Sequence, residues 1–320
     1  AGDINGDGYA DIIVGAPGVT PNGAAYVIFG HAGGFDSHIT LDASLDGNKG
    51  FRLDGASPLT GYSVASAGDV NGDGFADLLI GGAASTAVVF GHNGTFTPSF
   101  ALSQLNGSNG FTINSGGRSV SSVGDFNGDG IADLVVGDSG AVIFGHAAVF
   151  PAQINPTGLH GDSGFTFAQG GLTVTGAGDV NGDGLADLLV SEPRADGAAG
   201  SHAGASYVVF GHEGGFASGR VDLNNLGDQG FRLEGVHAGD YSGGAVSAAG
   251  DLNGDGYADL VIGAPGAQPD GSSYVLFGRD FAGLGPQNHV GSSGADHVGA
   301  IGSNDSFSTG AGDDVIDLGL

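Results

Sequence analysis

One nine-residue pattern, Asp-x-Asn-Gly-Asp-Gly-x-x-Asp, constrains the fold of this chain more than any other feature of its sequence. It occurs five times, with no exception at its fixed positions, and the copies begin at Asp3, Asp69, Asp125, Asp179 and Asp251. The number of residues between the starts of successive copies fits one supersecondary unit per copy, with connecting loops of variable length. The pattern therefore predicts a repeat protein in which each unit buries its apolar surface against the next.

Each repeat contains four short apolar runs. One precedes the pattern, as at residues 63–68, and a second follows it, as at residues 77–81. A third ends in Phe-Gly, as at residues 87–91, and a fourth reads Gly-Phe-x-Leu or a variant, as at residues 50–53. The runs are rich in β-branched and aromatic residues and are bounded by Gly, Asn and Asp, which is typical of strands. No segment shows a helical period with a cap.

Four strands per repeat predict an all-β fold, a β-propeller of four-stranded blades over residues 1–284 with five motifs visible. Residues 285–320 form a separate tail in this interpretation.

Oxygen-bearing side chains stand at positions 1, 3, 5 and 9 of every copy, and position 7 offers a backbone carbonyl. Ca²⁺ prefers hard oxygen ligands at alternate positions around a loop with a glycine at its sharp turn. The sequence therefore predicts about five Ca²⁺ ions, one per loop. The predicted ligands are Asp3, Asn5, Asp7, Tyr9, Asp11, Asp69, Asn71, Asp73, Phe75, Asp77, Asp125, Asn127, Asp129, Ile131, Asp133, Asp179, Asn181, Asp183, Leu185, Asp187, Asp251, Asn253, Asp255, Tyr257 and Asp259.

The loop sequence has two other interpretations, an EF-hand and a plain turn. An EF-hand needs a Glu at position 12, but that position is apolar in all five copies, for example Ile80 and Val136, so the EF-hand is excluded. A plain turn would use Asn-Gly or Asp-Gly. It would not need the Asp at position 9 in five copies out of five, and this favours calcium.

The charge balance narrows the range of partners. The chain has 35 acidic and 7 basic residues, a formal net charge of -28, and no cysteine. It offers no basic patch for nucleic acid or for an anionic membrane surface, no disulfide, and no apolar stretch long enough to span a bilayer. Bound cations are the expected means of stabilising so acidic a chain.

The strings around the loops resemble those of a known family. Residues 61–65 (Gly-Tyr-Ser-Val-Ala), the loops themselves, and Gly-Ala-Pro at residues 15–17 and 263–265 are similar to the FG-GAP repeats of the integrin α-subunit propeller and its bacterial relatives. The resemblance covers about residues 1–280 and implies metal sites on one face of a ring. Residues 137–139 and 191–193 depart from the Gly-Ala-Pro of the family. Family propellers commonly have seven blades, whereas five motifs are visible in this chain.

The tail has a repeat of its own. Residues 291–317 fall into three frames of nine that align Asp296, Asp305 and Asp314. They resemble the glycine-rich nonapeptide of RTX proteins, which implies a calcium-binding β-roll in a secreted bacterial protein. Alternatively the tail completes the propeller: a strand near residues 305–312 closes the ring beside the first blade, and residues 296–300 form the last strand of the fifth. The chain begins with Ala1, and we expect a longer precursor.

No motif for a nucleophile, a P-loop or a dinucleotide is present, and five equivalent sites are typical of structural metals. The histidines after Phe-Gly are interpreted as repeated turn residues, and Glu192 with Arg194 as a local salt bridge or a blade-specific ligand contact.

We predict a secreted or cell-surface, non-enzymatic module for adhesion or ligand binding, with carbohydrate or a protein surface as its partner and recognition in loops such as 195–205 and 267–273. A structural unit of an extracellular polymer or of a larger RTX-type protein, with self-association, is the alternative, and a polysaccharide-active enzyme the third hypothesis.

Overall fold

A computed structural model describes residues 1–33, 35, 37–41, 45–216 and 218–281, and the backbone of residues 288–290, 297–299, 306–308 and 315–317. The predicted domain boundary between residues 284 and 285 lies outside these residues. So do Asp296, Asp305 and Asp314 of the tail.

Strands dominate the described residues, as the sequence predicts, and the helical elements among them are four short 3-10 turns. The strands are β1 (Ile12–Ala16), β2 (Ala24–Ile28), β3 (Gly50–Asp54), β4 (Ser63–Gly68), β5 (Asp77–Gly81), β6 (Thr86–Val89), β7 (Ser99–Ala101), β8 (Gly110–Ile113), β9 (Val120–Gly124), β10 (Asp133–Val136), β11 (Ala141–Ile143), β12 (Gln153–Ile154), β13 (Gly164–Phe167), β14 (Thr173–Gly178), β15 (Asp187–Glu192), β16 (Ala205–Val209), β17 (Arg220–Val221), β18 (Gly230–Glu234), β19 (Ala245–Gly250), β20 (Asp259–Ala264), β21 (Ser272–Leu276), β22 (Asn288–Val290), β23 (His297–Gly299), β24 (Ser306–Ser308) and β25 (Val315–Asp317). The 3-10 turns are Leu102–Gln104, Pro156–Gly158, Gly161–Ser163 and Gly227–Gln229.

The chain divides into two compact units, residues 1–122 with 130–166 and residues 123–129 with 167–320. The first unit holds a sheet in the order β1-β2-β3-β7 and another in the order β12-β8-β6-β5-β4. The second unit holds β14-β15-β16-β18 and β19-β20-β21-β25-β23. The strands β9, β10, β11 and β13 of the third repeat follow one another in a sheet, and the division between the units passes through this repeat.

Successive strands of a repeat pair antiparallel, so the connections alternate between the two ends of each sheet. The nine-residue loops and the Phe-Gly turns lie at one end, here called the loop end. The connections that lead from the second strand to the third, and from the fourth strand to the next repeat, lie at the opposite end, here called the far end. In the fourth repeat the register places Val190 opposite Tyr207, and Tyr207 opposite Arg232.

The core lies between consecutive sheets. In the first unit one buried cluster joins Ile4, Val27 and Phe51 of the first repeat to Leu78 and Ile80 of the second. Equivalent clusters join the second repeat to the third and, in the second unit, the fourth to the fifth. Central strands such as β5 are buried at every residue, because both faces of the sheet are covered. The sequence prediction that each repeat buries its surface against the next is confirmed in these clusters.

The glycine of the Phe-Gly turn is required by close backbone approach. A Cβ atom added to Gly91 would lie 2.3 Å from the carbonyl oxygen of Ala76, and at Gly145 and Gly278 it would lie 2.3 and 2.4 Å from the oxygens of Ala132 and Ala258. These oxygens belong to backbone, which cannot move away as the end of a flexible side chain could. The turn therefore excludes any side chain.

We expect Gly91→Ala to lower the free energy of unfolding by about 1–3 kcal/mol, as overpacking of a close contact typically does. Gly158→Ala is the matched control, because no atom lies within 4 Å of its added Cβ and its φ is not positive. Urea unfolding followed by circular dichroism measures both. Equal stability of the two variants would contradict the steric explanation.

The tail strands start at residues 288, 297, 306 and 315, nine residues apart. β22 pairs parallel with β24, and β23 pairs parallel with β25. The position beside β21 is taken by β25, in parallel, rather than by residues 296–300 as the completion hypothesis predicts. β23 does lie in that sheet, one strand further out. Residues 306–308 pair with β22 instead of extending the first sheet, so the described residues do not show the predicted ring closure. The nine-residue frame explains this, since alternate tail strands repeat one another and stack.

Candidate metal centre

The five loops share one internal hydrogen-bond pattern. The carboxylate at position 1 and the amide oxygen at position 3 both accept the backbone N–H of position 5. In the second loop Asp73 donates in this way to Asp69 and to Asn71, each at 3.0 Å. The amide nitrogen at position 3 donates to the carboxylate at position 5, as from Asn71 to Asp73 at 2.9 Å. The other four loops repeat these contacts. The side chains at positions 1, 3 and 5 are thus gathered on one side of a tight turn.

The Asp at position 9 has a different environment from the other three side chains. Asp77, Asp133, Asp187 and Asp259 are fully buried, and Asp11 is 3% exposed. In the second loop Asp77 accepts the backbone N–H of Val70 at 2.9 Å with one oxygen and that of Gly91 at 2.9 Å with the other. The same pair of bonds recurs in the first, fourth and fifth loops, and the glycine bond also in the third. This carboxylate ties the start of the loop to the Phe-Gly turn.

Burial raises the pKa of Asp77 to about 7 and that of Asp187 to about 8. The backbone N–H groups act in the opposite direction, and the carboxylates at positions 1 and 5 of the same loop raise the pKa further. Burial also raises the pKa of Asp11. The position-9 carboxylate is therefore held in a site where its negative charge is costly, and a cation near positions 1 and 5 would oppose that cost.

Consecutive loops are joined through their backbones. The carbonyl at position 1 accepts the N–H at position 8 of the next loop, as Asp3 does from Ala76 at 3.1 Å. The carbonyl at position 2 accepts the N–H of the residue that follows the next Phe-Gly, as Ile4 does from His92 at 2.9 Å. The second, third and fourth loops make the same two bonds with the repeat that follows them. These bonds fix the spacing of the loops.

The donors suit a hard cation. Positions 1 and 5 supply carboxylates and position 3 an amide oxygen, and each loop also has a backbone carbonyl at position 7. An oxygen of the position-9 carboxylate that accepts one N–H retains a lone pair for a further ligand. No cluster of three or more His, Cys, Asp or Glu side chains suited to a metal ion occurs in the described parts of the chain. Position 3 is an amide, and both oxygens of Asp77 at position 9 accept backbone N–H groups. The calcium ligand set stays a prediction.

The histidines pack beside the loops. The ring of His92 stacks on Phe96 at a centroid distance of 4.2 Å, and that of His146 on Phe150 at 3.9 Å. Arg279 takes the same place in the fifth repeat, 5.4 Å from the ring of Phe281. These contacts agree with the interpretation as a repeated turn residue.

Glu192 accepts the hydroxyl of Tyr207 at 3.3 Å. Arg232 pairs with Glu234 and lies over the Tyr207 ring. The sequence suggested a salt bridge between Glu192 and Arg194; the ion pair found in this part of the described chain is Arg232–Glu234 instead. Arg232 and Glu234 are two residues apart on β18, so their side chains lie on the same face of the sheet. The register that places Tyr207 opposite Arg232 adds the tyrosine ring to this pair, and sequence spacing alone does not reveal that register.

An all-β protein of stacked four-stranded repeats with acidic loops is the class that this fold and these loops define. The FG-GAP repeat family matches residues 1–28, 171–209 and 242–276, and the FG-GAP-like repeat family matches residues 69–136. The chain therefore contains FG-GAP repeats of the integrin-like kind.

Among curated proteins, the chain is 34% identical to integrin alpha-PS5 of Drosophila melanogaster over 155 residues, which is 45% of this chain and 14% of that protein. It is 31% identical to integrin alpha-4 of Xenopus laevis over 147 residues, 43% of this chain and 14% of that protein. It is 34% identical to phosphatidylinositol-glycan-specific phospholipase D of Bos taurus over 119 residues, 36% of this chain and 14% of that protein. The chain thus spans about one seventh of the length of these relatives. No helix in the described residues is long and apolar enough to cross a membrane.

Proposed function

We propose that the chain is a calcium-stabilised, non-enzymatic module for adhesion or ligand binding, in which the metal is structural and the ligand binds at the far end of the sheets. One observation carries the proposal. The five loops repeat one geometry at the loop end, whereas the far-end connections differ from repeat to repeat, and two of them expose Leu59, Tyr62 and Tyr241. Equivalent sites suit a scaffold, and differing loops suit recognition.

Calcium is supported as the metal by the all-oxygen donor set at positions 1, 3, 5 and 7. The buried position-9 carboxylate adds negative charge near positions 1 and 5, whose carboxylates raise its pKa in the second and fourth loops. The hydrogen bonds among positions 1, 3 and 5 arrange these side chains before any cation arrives, which lowers the ordering cost of binding.

Backbone strain marks the far end. Leu59, His202 and Tyr241 are the non-glycine residues with positive φ in the described chain, at 59°, 53° and 52°. All three lie in far-end connections. Leu59 is 48% exposed and Tyr241 is 38% exposed, and the ring of Tyr241 stacks on His202 at 5.7 Å. Strained residues that display large side chains to solvent are typical of binding surfaces.

In the first unit, Tyr62 is 56% exposed in the connection that also holds Leu59. Tyrosines bind sugars and proteins through an apolar ring and a polar hydroxyl. Because the chain carries a formal net charge of -28, neutral or basic ligand surfaces are favoured. We therefore propose a neutral polysaccharide or a protein surface as the partner, and an extracellular location.

The test is binding of the full chain in millimolar Ca²⁺ to immobilised neutral polysaccharides and to immobilised proteins. We expect Tyr62→Ala and Tyr241→Ala each to weaken binding about tenfold, the effect of losing one aromatic anchor. Tyr9→Ala is the matched control, since Tyr9 is 44% exposed but lies at the loop end. Loss of binding in the Tyr9 variant alone, or in none of the three, would refute the assignment of the far end.

We propose further that the tail is an RTX-like β-roll that binds calcium in a secreted bacterial protein. The nine-residue spacing of β22 to β25 and the parallel pairing of alternate strands support this proposal.

A further inference from the structure

The fourth repeat carries a glutamate and an arginine together at its far end. Glu192 is the last residue of β15, and Arg194 lies two residues further on, in the connection to β16. In the other four repeats the second of these positions is a glycine or an alanine, and the first is acidic only in the third repeat. The corresponding pairs are Ala16 with Gly18, Gly82 with Ala84, Asp138 with Gly140, and Ala264 with Gly266. The repeated architecture therefore does not require this pair of charges.

Both side chains line one surface cleft of about 420 Å³, together with Gly171, Pro193 and Ala195. The cleft lies between two far-end connections of the second compact unit. The register brings these connections together, because Thr173 at the start of β14 lies opposite Ser191 near the end of β15. The volume falls within the range of small-molecule sites, about 300–1,000 Å³.

The polar groups of the two side chains are largely unused within the chain. The hydroxyl of Tyr207 donates to Oε2 of Glu192 at 3.3 Å. Within the described residues no group donates to the other carboxylate oxygen, and the exposed guanidinium of Arg194 has no ion-pair partner. Arg232 and Glu234 of β18 pair with each other instead. The cleft is therefore lined by an acceptor and a group of donors that are both available to a ligand.

These two groups have complementary requirements. A carboxylate only accepts hydrogen bonds, and a guanidinium only donates them. A ligand that satisfies both must offer donors and acceptors close together, and a neutral ligand suits both charges. Two adjacent hydroxyls meet these conditions, because each hydroxyl both donates and accepts.

The other walls of the cleft favour a sugar over a protein. They are formed by Gly171, Pro193 and Ala195, which are small or carry a short aliphatic ring. Protein interfaces draw most of their binding energy from large side chains seated in well-packed pockets, and small residues provide little packing surface for such an anchor. The ring of Pro193 can contact the C–H groups of a sugar. A neutral sugar also avoids repulsion from a chain with a formal net charge of -28.

We propose that this cleft is a subsite for one neutral pyranose residue that has two adjacent free hydroxyls. Glu192 accepts hydrogen bonds from these hydroxyls, and Arg194 donates to them. Tyr207 is a positioning residue, because it holds one oxygen of Glu192 and leaves the other for the sugar. The inference rests on the proposed function, since it assigns a sugar to one place at the far end.

Saturation-transfer NMR titration of the full chain in millimolar Ca²⁺ tests the proposal, with the methyl glycosides of glucose, mannose and galactose as probes. We expect at least one of them to bind. Its 3-deoxy analogue has no adjacent pair of hydroxyls and should bind about tenfold more weakly, because hydrogen bonds to charged groups are lost.

Glu192→Gln and Arg194→Gln should each weaken binding of the same glycoside about tenfold, for the same reason. Thermal unfolding should not change, because neither charge is paired with another within the described residues. Glu213→Gln and Lys49→Gln are the matched controls, since they make the same changes in charge at exposed loop-end residues. Both controls should bind the glycoside as the unmodified chain does.

The outcomes distinguish this inference from the proposed function. If no glycoside binds, while Tyr62→Ala and Tyr241→Ala still weaken binding to an immobilised polysaccharide or protein, the proposed function stands and the subsite is overturned. Glycoside binding that is unchanged in both cleft variants would place the sugar elsewhere and also overturn it. If the cleft variants weaken binding to an immobilised protein and no glycoside binds, the cleft is a protein contact and the sugar assignment is wrong. Glycoside binding that depends on the cleft but not on Tyr62 or Tyr241 would support the subsite and refute the two tyrosine anchors.

Discussion

Replacing Asp77 by alanine should lower the free energy of unfolding by about 2–6 kcal/mol, the largest effect expected of any single loop substitution. The variant leaves the N–H groups of Val70 and Gly91 buried without an acceptor, and each unsatisfied buried donor costs about 1–3 kcal/mol. Urea unfolding in the presence of a calcium chelator measures the effect. Without metal, the loss comes from the backbone bonds alone.

Asp73→Ala is the matched comparison in the same loop. Asp73 is exposed, and its bonds are to Phe75 and Asn71 within the turn. In chelator we expect this variant to lose at most about 1 kcal/mol, the net value of an exposed hydrogen bond. In millimolar Ca²⁺ it should lose in addition the stabilisation that the metal gives to this loop. If both variants lost stability only when calcium was present, position 9 would be a metal ligand without the tethering role described here.

The repeat and its strands could be predicted from the sequence because both depend on local patterns. The positions of β4, β5 and β6 agree with apolar runs bounded by Gly and Asp, and the Phe-Gly turn ends each third run. The outer strands β7 and β12 could not be predicted in this way. They have two or three residues and pair in parallel with the preceding repeat, so their only signal lies in a contact distant in sequence.

The same distinction between local patterns and contacts distant in sequence applies to the candidate site. Positions 1, 3 and 5 contact one another within a tight turn, so the sequence predicts their grouping directly. The role of position 9 depends on Gly91, fourteen residues further on, and on the burial that the next repeat supplies. A carboxylate that recurs beside predicted metal ligands is predicted to be a ligand too, and the fold adds that its two oxygens accept backbone N–H groups. The bonds between consecutive loops, such as Ile4 with His92, were missed for the same reason.

Calcium should raise the stability of the whole chain by several kcal/mol. If each loop has the affinity typical of extracellular modules, then millimolar Ca²⁺ stabilises the fold by roughly 0.4 to 1.4 kcal/mol per loop, which over five loops is comparable to a whole folding free energy. Five divalent cations also add ten positive charges to a formal net charge of -28, which reduces self-repulsion. Thermal melts by circular dichroism from chelated protein through increasing free Ca²⁺ measure the shift.

The identity of the ligands decides how that shift should respond to substitution. Asn71→Ala and Asp73→Ala remove oxygens that are predicted to bind the cation, so each should abolish the contribution of one loop and leave most of the calcium-dependent shift. Mg²⁺ at the same concentration is the control, because it demands near-ideal octahedral geometry and gives up its water reluctantly, and it should shift the melt much less. A melting temperature that does not respond to Ca²⁺ would contradict the calcium assignment. The hydrogen bonds of the position-5 N–H and of the position-9 carboxylate would then hold the loops without metal, and the five loops would be plain turns. A response that persists in full after the substitutions at positions 3 and 5 of every loop would place the calcium elsewhere, in the nine-residue frames of the tail.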